Sequence, residues 1–259
     1  MLKSVFDDKG CATVTLDRPK LHNTFDELII AELTGLFSDL TVNPDVRIIV
    51  LAANGNSFCA GADLNWMKRM AKYDYDENIA DSKALANMLH TISICPKPII
   101  CKVQGSAYGG GVGLISVCDI AIASLNAKFA FSEVKLGITP ATISPYVIEA
   151  IGKRQAHRYF LSAEIFDAEK ALELGLIHQV VQPDELNNFV DRLVKNMMRN
   201  SPAAMSAAKE LIRKISKEPI NKDILDYTAK CIANIRATAE GQEGITAFLA
   251  KRKPSWAKE

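Results

Sequence analysis

Val46-Arg-Ile-Ile-Val-Leu-Ala52 is a nearly unbroken apolar run, and it constrains the fold more than any other stretch of this chain. A strand with water on one face alternates apolar and polar residues, whereas a strand covered on both faces does not. Pro98-Ile-Ile-Cys-Lys-Val-Gln104 repeats the pattern, and Asp119-Ile-Ala-Ile-Ala123 reads as a further strand. Between these runs the spacing changes. Apolar residues at 25, 28, 29, 33, 36, 37 and 40 predict a helix from Phe25 to Leu40 with one buried stripe, and a second helix is expected from about Asp76 to Ser93. Cys11 to Asp17 reads as a strand stopped by Arg18-Pro19. Strand, loop, helix and strand thus recur at least twice before residue 130, which predicts an α/β core.

After about residue 140 the pattern becomes mostly helical. Leu174 to Val181 suggests one last strand, and from Pro183 onward only helices are expected, with Ser201-Pro202 as a helix start. A soft boundary is expected near 190, dividing a core of residues 1–190 from a helical region of residues 191–259. The 259 residues suffice for a large core, and no low-complexity linker or solenoid-length repeat interrupts them. A net charge of +1 steers the chain toward neither nucleic acid nor an anionic membrane. No apolar stretch approaches the roughly 18 residues of a membrane helix, and Met1 to Asp8 does not read as a signal peptide. The six cysteines (11, 59, 95, 101, 118, 231) show no C-x-x-C spacing. Buried free thiols in a reducing cytoplasm are expected, with no metal site.

Gly105-Ser-Ala-Tyr-Gly-Gly-Gly-Val-Gly113 follows a strand and opens a helix. A phosphate loop of the Walker type would need Gly-Lys-Ser/Thr after four intervening residues, and Gly111 stands where the lysine should be. A dinucleotide fingerprint would begin at Gly109 and Gly111, but Leu114 breaks it. The remaining chemical use is an oxyanion site, in which glycines admit a substrate close to the backbone and the first N–H groups of a helix face developing negative charge. Tight packing of helix on strand would explain the glycines equally well if they stood alone. A second small-residue turn, Ser57-Phe-Cys-Ala-Gly-Ala-Asp63, also follows a buried strand and precedes a helix that begins near Asp63. Two such turns can aim one N–H each at a single oxygen.

The chain resembles the enoyl-CoA hydratase/isomerase (crotonase) superfamily over nearly its full length. The resemblance is carried by Leu16-Asp-Arg-Pro-Lys-Leu-His-Asn23, Phe58-Cys-Ala-Gly-Ala-Asp63, Val103 to Gly111, Cys118 to Ala123, Phe131-Ser-Glu-Val-Lys-Leu-Gly137 and Ala168 to Leu176. It implies a spiral of β-β-α repeats with a C-terminal helical trimerisation region, and a homotrimer or a dimer of trimers. It implies a thioester oxyanion hole made by the N–H groups of Ala62 and Gly110, with Gly109 beside them. Contacts to coenzyme A, here part of the substrate rather than a cofactor, would fall on Lys20, Leu21, Ala60, Ala62, Asp63 and Leu64. Phe248 and Lys251 match positions that touch the adenosine and phosphate end, often from a neighbouring subunit.

The resemblance also exposes a departure. Hydratases of the standard type use two glutamates, and this chain has Gly113 at the first position and Glu133 at the second. A carboxyl beside an apolar acyl pocket is expected to have a raised pKa, suited to moving a proton near neutrality. Two branches of the superfamily keep only the second glutamate: Δ3,Δ2-enoyl-CoA isomerases, and bacterial hydratases of branched, carboxylated enoyl-CoAs such as 3-methylglutaconyl-CoA in leucine breakdown. Gly61 to Met67, Gly113 to Ser116 and Ser132 to Pro145 look like the second branch. Most relatives have a glycine-rich stretch after the proline; this chain has Ala141-Thr-Ile-Ser-Pro145 instead. Hydration with Glu133 as acid and base in turn is therefore expected, with isomerisation as the alternative. A substrate carboxylate would want a cation, and Lys68, Arg69, Lys72 and Lys135 are candidates.

Three other classes were weighed. A non-catalytic CoA-binding protein is compatible with Gly113. Lys209, Arg213, Lys214 and Lys217 recur at helical spacing as a nucleic-acid stripe would, but no aromatics are interleaved, and a solvated helix face explains them better. Cys59 sits beside a turn, but no histidine stands in a partner motif to make it a nucleophile.

Overall fold

The structure is a computed structural model that describes residues 1–216 and 218–257. The chain opens with β1 (Leu2–Phe6) and β2 (Cys11–Leu16), a 3-10 turn at Pro19–Leu21 and helix α1 (Glu27–Val42). Three units of similar design follow, each a longer strand, a three-residue strand and a helical segment. The first is β3 (Ile48–Ala53), β4 (Ser57–Cys59), α2 (Leu64–Met70) and α3 (Tyr75–Ile94). The second is β5 (Ile99–Val103), β6 (Ser106–Tyr108) and α4 (Gly110–Ser116). The third is β7 (Ile120–Ser124), β8 (Lys128–Ala130), a 3-10 turn at Glu133–Leu136 and α5 (Ser144–Ser162). The chain continues through β9 (Phe166–Asp167), α6 (Ala168–Glu173), β10 (Gln179–Val181), α7 (Leu186–Met197), α8 (Pro202–Ile215), α9 (Lys222–Ala237) and α10 (Ala239–Leu249).

The longer strands and the three-residue β10 form one six-stranded sheet in the order β1-β2-β3-β5-β7-β10, parallel except for the β1–β2 pair. All six residues of β3 are buried, as its apolar run requires. Alternate residues serve two cores. Val14, Ile49, Leu51, Ile99, Cys101 and Ala121 face the main core with α1, α3, α4 and α5. Ile48, Val50, Ile100 and Ile122 face the other way and are covered by Leu186, Val190 and Val194 of α7. Position 190 therefore lies inside a helix that packs as a unit on the sheet. The short strands form a second sheet, β4-β6-β8-β9, with the first three strands parallel.

Two elements start later than their spacing predicts. Helix α1 begins at Glu27, because the Asp26 carboxylate caps it by accepting from Ile29 N at 2.9 Å, and Phe25 instead bridges to Ala62. The last strand is confined to Gln179–Val181, because Gly175, at φ +80°, turns the chain after α6 and sends Leu176 and Ile177 into the core. The C-terminal helices differ from the rest: α8 and α9 bury no residue fully, and Ile212, Leu225 and Ile232 stand exposed. All six cysteines are free, and four of them are buried. No cluster of metal-ligating side chains occurs among the described residues, and no helix there is long and apolar enough to cross a membrane.

Candidate active site

The second sheet assembles the site. Cys59 pairs with Ala107, Ala107 with Phe129 and Tyr108 with Ala130, so three parallel strands end side by side. The turns after them carry Ala62, Gly110 and Glu133. Beyond the carboxyl ends of parallel strands the backbone leaves the ladder, and its N–H groups become available to a ligand.

The first turn is gripped by Phe25. Phe25 N donates to Gly61 O and Asp63 N donates to Phe25 O, both at 2.7 Å. Ala62 is thus held between two hydrogen bonds that do not use its own N–H, which has no acceptor among the described residues. Asp63 caps α2, accepting from Asn65 N at 2.8 Å and Trp66 N at 3.3 Å. Its other oxygen meets Arg18 Nη2 at 3.3 Å, while Arg18 Nη1 reaches Asp26 Oδ2 at 2.6 Å. One half-buried guanidinium therefore clamps the caps of α1 and α2, and with them the turn between β4 and α2. The buried Asn23 closes the same knot, donating to the carbonyls of Asn54 and Ser57 and accepting from Arg18 N, each at 2.8 Å.

The second turn is packed backbone against backbone. Gly109 adopts φ +51° and ψ −119°, and its N–H donates to Ala130 O at 3.0 Å. A Cβ on Gly111 would lie 2.3 Å from Cys59 O, so only glycine allows α4 to approach the first turn this closely. The Gly110 N–H opens α4 and has no acceptor among the described residues.

Glu133 completes the group. Its Oε1 lies 3.2 Å from where a Cβ on Gly109 would sit, and its Oε2 is buried without a hydrogen-bond partner. Burial pushes the carboxyl pKa up from 4.5, opposed by a hydrogen bond from its own backbone N–H. A half-buried carboxyl with one unpartnered oxygen exchanges protons nearer neutrality than an exposed one.

The structure gathers most of the expected site residues around these turns. The Ala60 N–H donates to His22 O at 3.0 Å, which ties the turn bearing the exposed Lys20 and Leu21 to Ala60. Leu64 opens α2 and is exposed. The Asp63 carboxylate is buried, capping α2 and paired with Arg18, while its N–H donates to Phe25 O and its carbonyl accepts from Met67 N at 2.9 Å. Phe248 and Lys251 lie exposed at the end of α10, a helix that packs on α9. Of the candidate cations, Arg69 is bound by Glu27 at 2.7 Å, and Lys68, Lys72 and Lys135 are exposed.

The weaker alternatives lose ground on geometry. Burial pushes the Cys59 thiol up to about 12, which denies it thiolate character. In the basic stripe, Lys209 pairs with Asp119 at 2.7 Å and Arg213 with Glu210, while Lys217 lies outside the described residues. Arg18, Asn23 and Phe25 act here as positioning groups that no local pattern marks. Arg18 and Asn23 flank Lys20 and Leu21 in one segment. Phe25 opens the apolar helix stripe in the sequence but bridges to Ala62 in the structure.

Residues 7–259 match the enoyl-CoA hydratase/isomerase family. A solved enoyl-CoA hydratase from Shewanella pealeana is 45% identical, with a TM-score of 0.95 over 98% of this chain and 95% of that one. The 2,3-dehydroadipyl-CoA hydratase of Escherichia coli is 32% identical over 244 residues, covering 94% of this chain and 93% of its own. A trans-2-decenoyl-[acyl-carrier-protein] isomerase from Streptococcus mutans is 28% identical over 251 residues, 96% of this chain and 95% of its own. With sequence agreement along almost its whole length and the β-β-α architecture of solved relatives, the chain belongs to the enoyl-CoA hydratase/isomerase family.

Proposed function

We propose that this enzyme adds water across the α,β double bond of an acyl-CoA thioester, with Glu133 moving the protons. The observation that carries this reading is the unpartnered, buried Oε2 of Glu133, whose carboxylate meets Gly109, the residue before a Gly110 N–H that has no acceptor among the described residues. The thioester oxygen would accept from Ala62 and Gly110. Glu133 would take a proton from water as the oxygen attacks the β-carbon, leaving an enolate, and would then return that proton to the α-carbon. Negative charge on the thioester oxygen grows during the attack, and losing one such donor costs about 3–4 kcal/mol of barrier stabilisation.

For the acyl group, a branched or carboxylated enoyl-CoA such as 3-methylglutaconyl-CoA is favoured by the wording of residues 61–67, 113–116 and 132–145. A relative named for 2,3-dehydroadipyl-CoA supports the same class. Lys68, Lys72 and Lys135 are the exposed cations from which a carboxylate partner would come. Isomerisation of a 3-enoyl-CoA is the second reading, favoured by the single carboxylate and by the named isomerase among the relatives. The uncovered apolar residues of α8 and α9 support a trimer or a dimer of trimers, and the free thiols suit a reducing cytoplasm.

Turnover of crotonyl-CoA, 3-methylglutaconyl-CoA and a 3-enoyl-CoA by the purified protein separates these readings. Hydration of one of the first two is expected, and Glu133→Gln should lower its kcat about a thousandfold. Full activity of that variant on every substrate would remove Glu133 from the chemistry. Binding of the acyl-CoAs without turnover would point to a CoA-binding protein instead.

A further inference from the structure

Gly109 caps helix α4 and Gly113 lies inside its first turn. The Gly113 N–H donates to the Gly109 carbonyl at 3.2 Å, which closes that turn. The side of Gly109 that a Cβ would occupy is met by the Glu133 carboxylate. At Gly113 a Cβ would lie 2.3 Å from Ile143 Cγ2, 3.0 Å from Ile143 Cβ and 3.7 Å from Leu89 Cδ2. Side chains on a helix lean toward its N-terminus. An acid at 113 would therefore lean back along α4 toward Gly109 and Glu133, and its stem would have to pass through the space that Ile143 fills.

Ile143 cannot readily leave that space. It is 1% exposed and immediately precedes α5, where its carbonyl accepts from Tyr146 N at 3.2 Å and Val147 N at 3.1 Å. Its branched side chain is stiff at χ1, and a packed interior does not make room for an extra carbon without strain. The two departures noted in the sequence, Gly113 in α4 and Ala141-Thr-Ile-Ser-Pro145 before α5, are the two sides of this one contact.

We infer that Ile143 is a specificity-determining residue of the site: it fills the volume that a second acid–base side chain on α4 would need, and so restricts proton transfer to Glu133. The inference rests on the reading of Glu133 as the proton-transfer group. Gly113 and Ile143 then act as a steric pair, neither of which can change alone to give a two-carboxylate site.

A double-mutant cycle tests it. Gly113→Ala alone should lower the apparent Tm by roughly 3–10 °C through overlap with Ile143. Gly113→Ala with Ile143→Ala should melt higher than the sum of the two single shifts predicts, because the 2.3 Å overlap with Ile143 Cγ2 is gone. Gly113→Glu with Ile143→Gly should add a second ionisation to the acid limb of the kcat/KM–pH profile, absent from the parent enzyme and from Ile143→Gly. Additive Tm shifts in the alanine cycle would overturn the inference, as would a folded Gly113→Glu/Ile143→Gly enzyme with an unchanged acid limb. The alanine cycle remains decisive if the glutamate variant fails to fold. Failure of the Glu133 reading has a separate signature, since Glu133→Gln would then keep full activity whatever the cycle shows.

Discussion

The two sheets of this molecule divide its labour. The six-stranded sheet has strands of up to six residues, with apolar side chains on both faces and α7 closing the outer one. Its backbone groups satisfy each other along parallel ladders, and its stability comes from buried apolar area. The four-stranded sheet has strands of two or three residues. Such strands are held by neighbours instead: the Phe25 bridge to Ala62, the Arg18 clamp and the approach of Gly111 to Cys59. Because they end after so few residues, their chains turn while still packed together, and the Ala62 and Gly110 N–H groups have no acceptor among the described residues. Long strands consume their donors and confer stability, whereas short strands leave donors over and build a site.

Substitutions in the two sheets should therefore fail in different ways. Leu51→Ala, in β3, should cost about 2–5 kcal/mol in urea unfolding, while the folded fraction keeps its KM. A comparable loss of affinity there would break the division. Gly111→Ala should cost less stability, about 1–3 kcal/mol, because one carbon is forced against the Cys59 carbonyl. Its kcat should nevertheless fall about a hundredfold, since shifting the cradle by a fraction of an ångström misplaces both N–H groups. Near-parental kcat in a stable Gly111→Ala enzyme would mean that the close approach does not shape the cradle.

The smallest effect concerns pH. Burial raises the Glu133 pKa above 4.5, so the folded chain binds that proton more tightly than the unfolded chain. The stabilisation this gives is complete below the unfolded value and is lost as pH rises through the folded one. Urea midpoints of the parent and Glu133→Gln should accordingly diverge in the parent's favour toward acid, and kcat/KM of the parent should rise with pH through a midpoint above that of an ordinary glutamate. Parallel stability profiles would show that the carboxyl is not buried as described.

The legible parts of the fold share one property: their pattern is local. β3, β5 and β7 announce themselves as apolar runs, and α1 and α3 by their spacing, because burial on a sheet or a helix repeats every few residues. β1, with four of its five residues exposed, has no such signal, and the strands of two or three residues are too short to hold a period. In the candidate site, the turns carrying Ala62, Gly110 and Glu133 stand in recognisable motifs, but the role of Arg18 has no such sign, because it lies in two carboxylates at sequence distances of 8 and 45 residues. Ile143 escaped for the same reason: nothing near it in sequence says that it lies against Gly113.

By itself the sequence determined the α/β class, the covered central strands and the two small-residue turns, since each is written in residue type and short-range spacing; the missing acid at Gly113 is what the family resemblance implies. Only the tertiary structure decided that the turns meet, that the Asp63 carboxylate pairs with Arg18 while capping α2, and that Ile143 stands where a side chain at 113 would go. The physical reason is that an oxyanion cradle and an excluded volume are properties of atoms from separate segments brought within a few ångströms, and that proximity is set by the packing of whole elements rather than by any one of them.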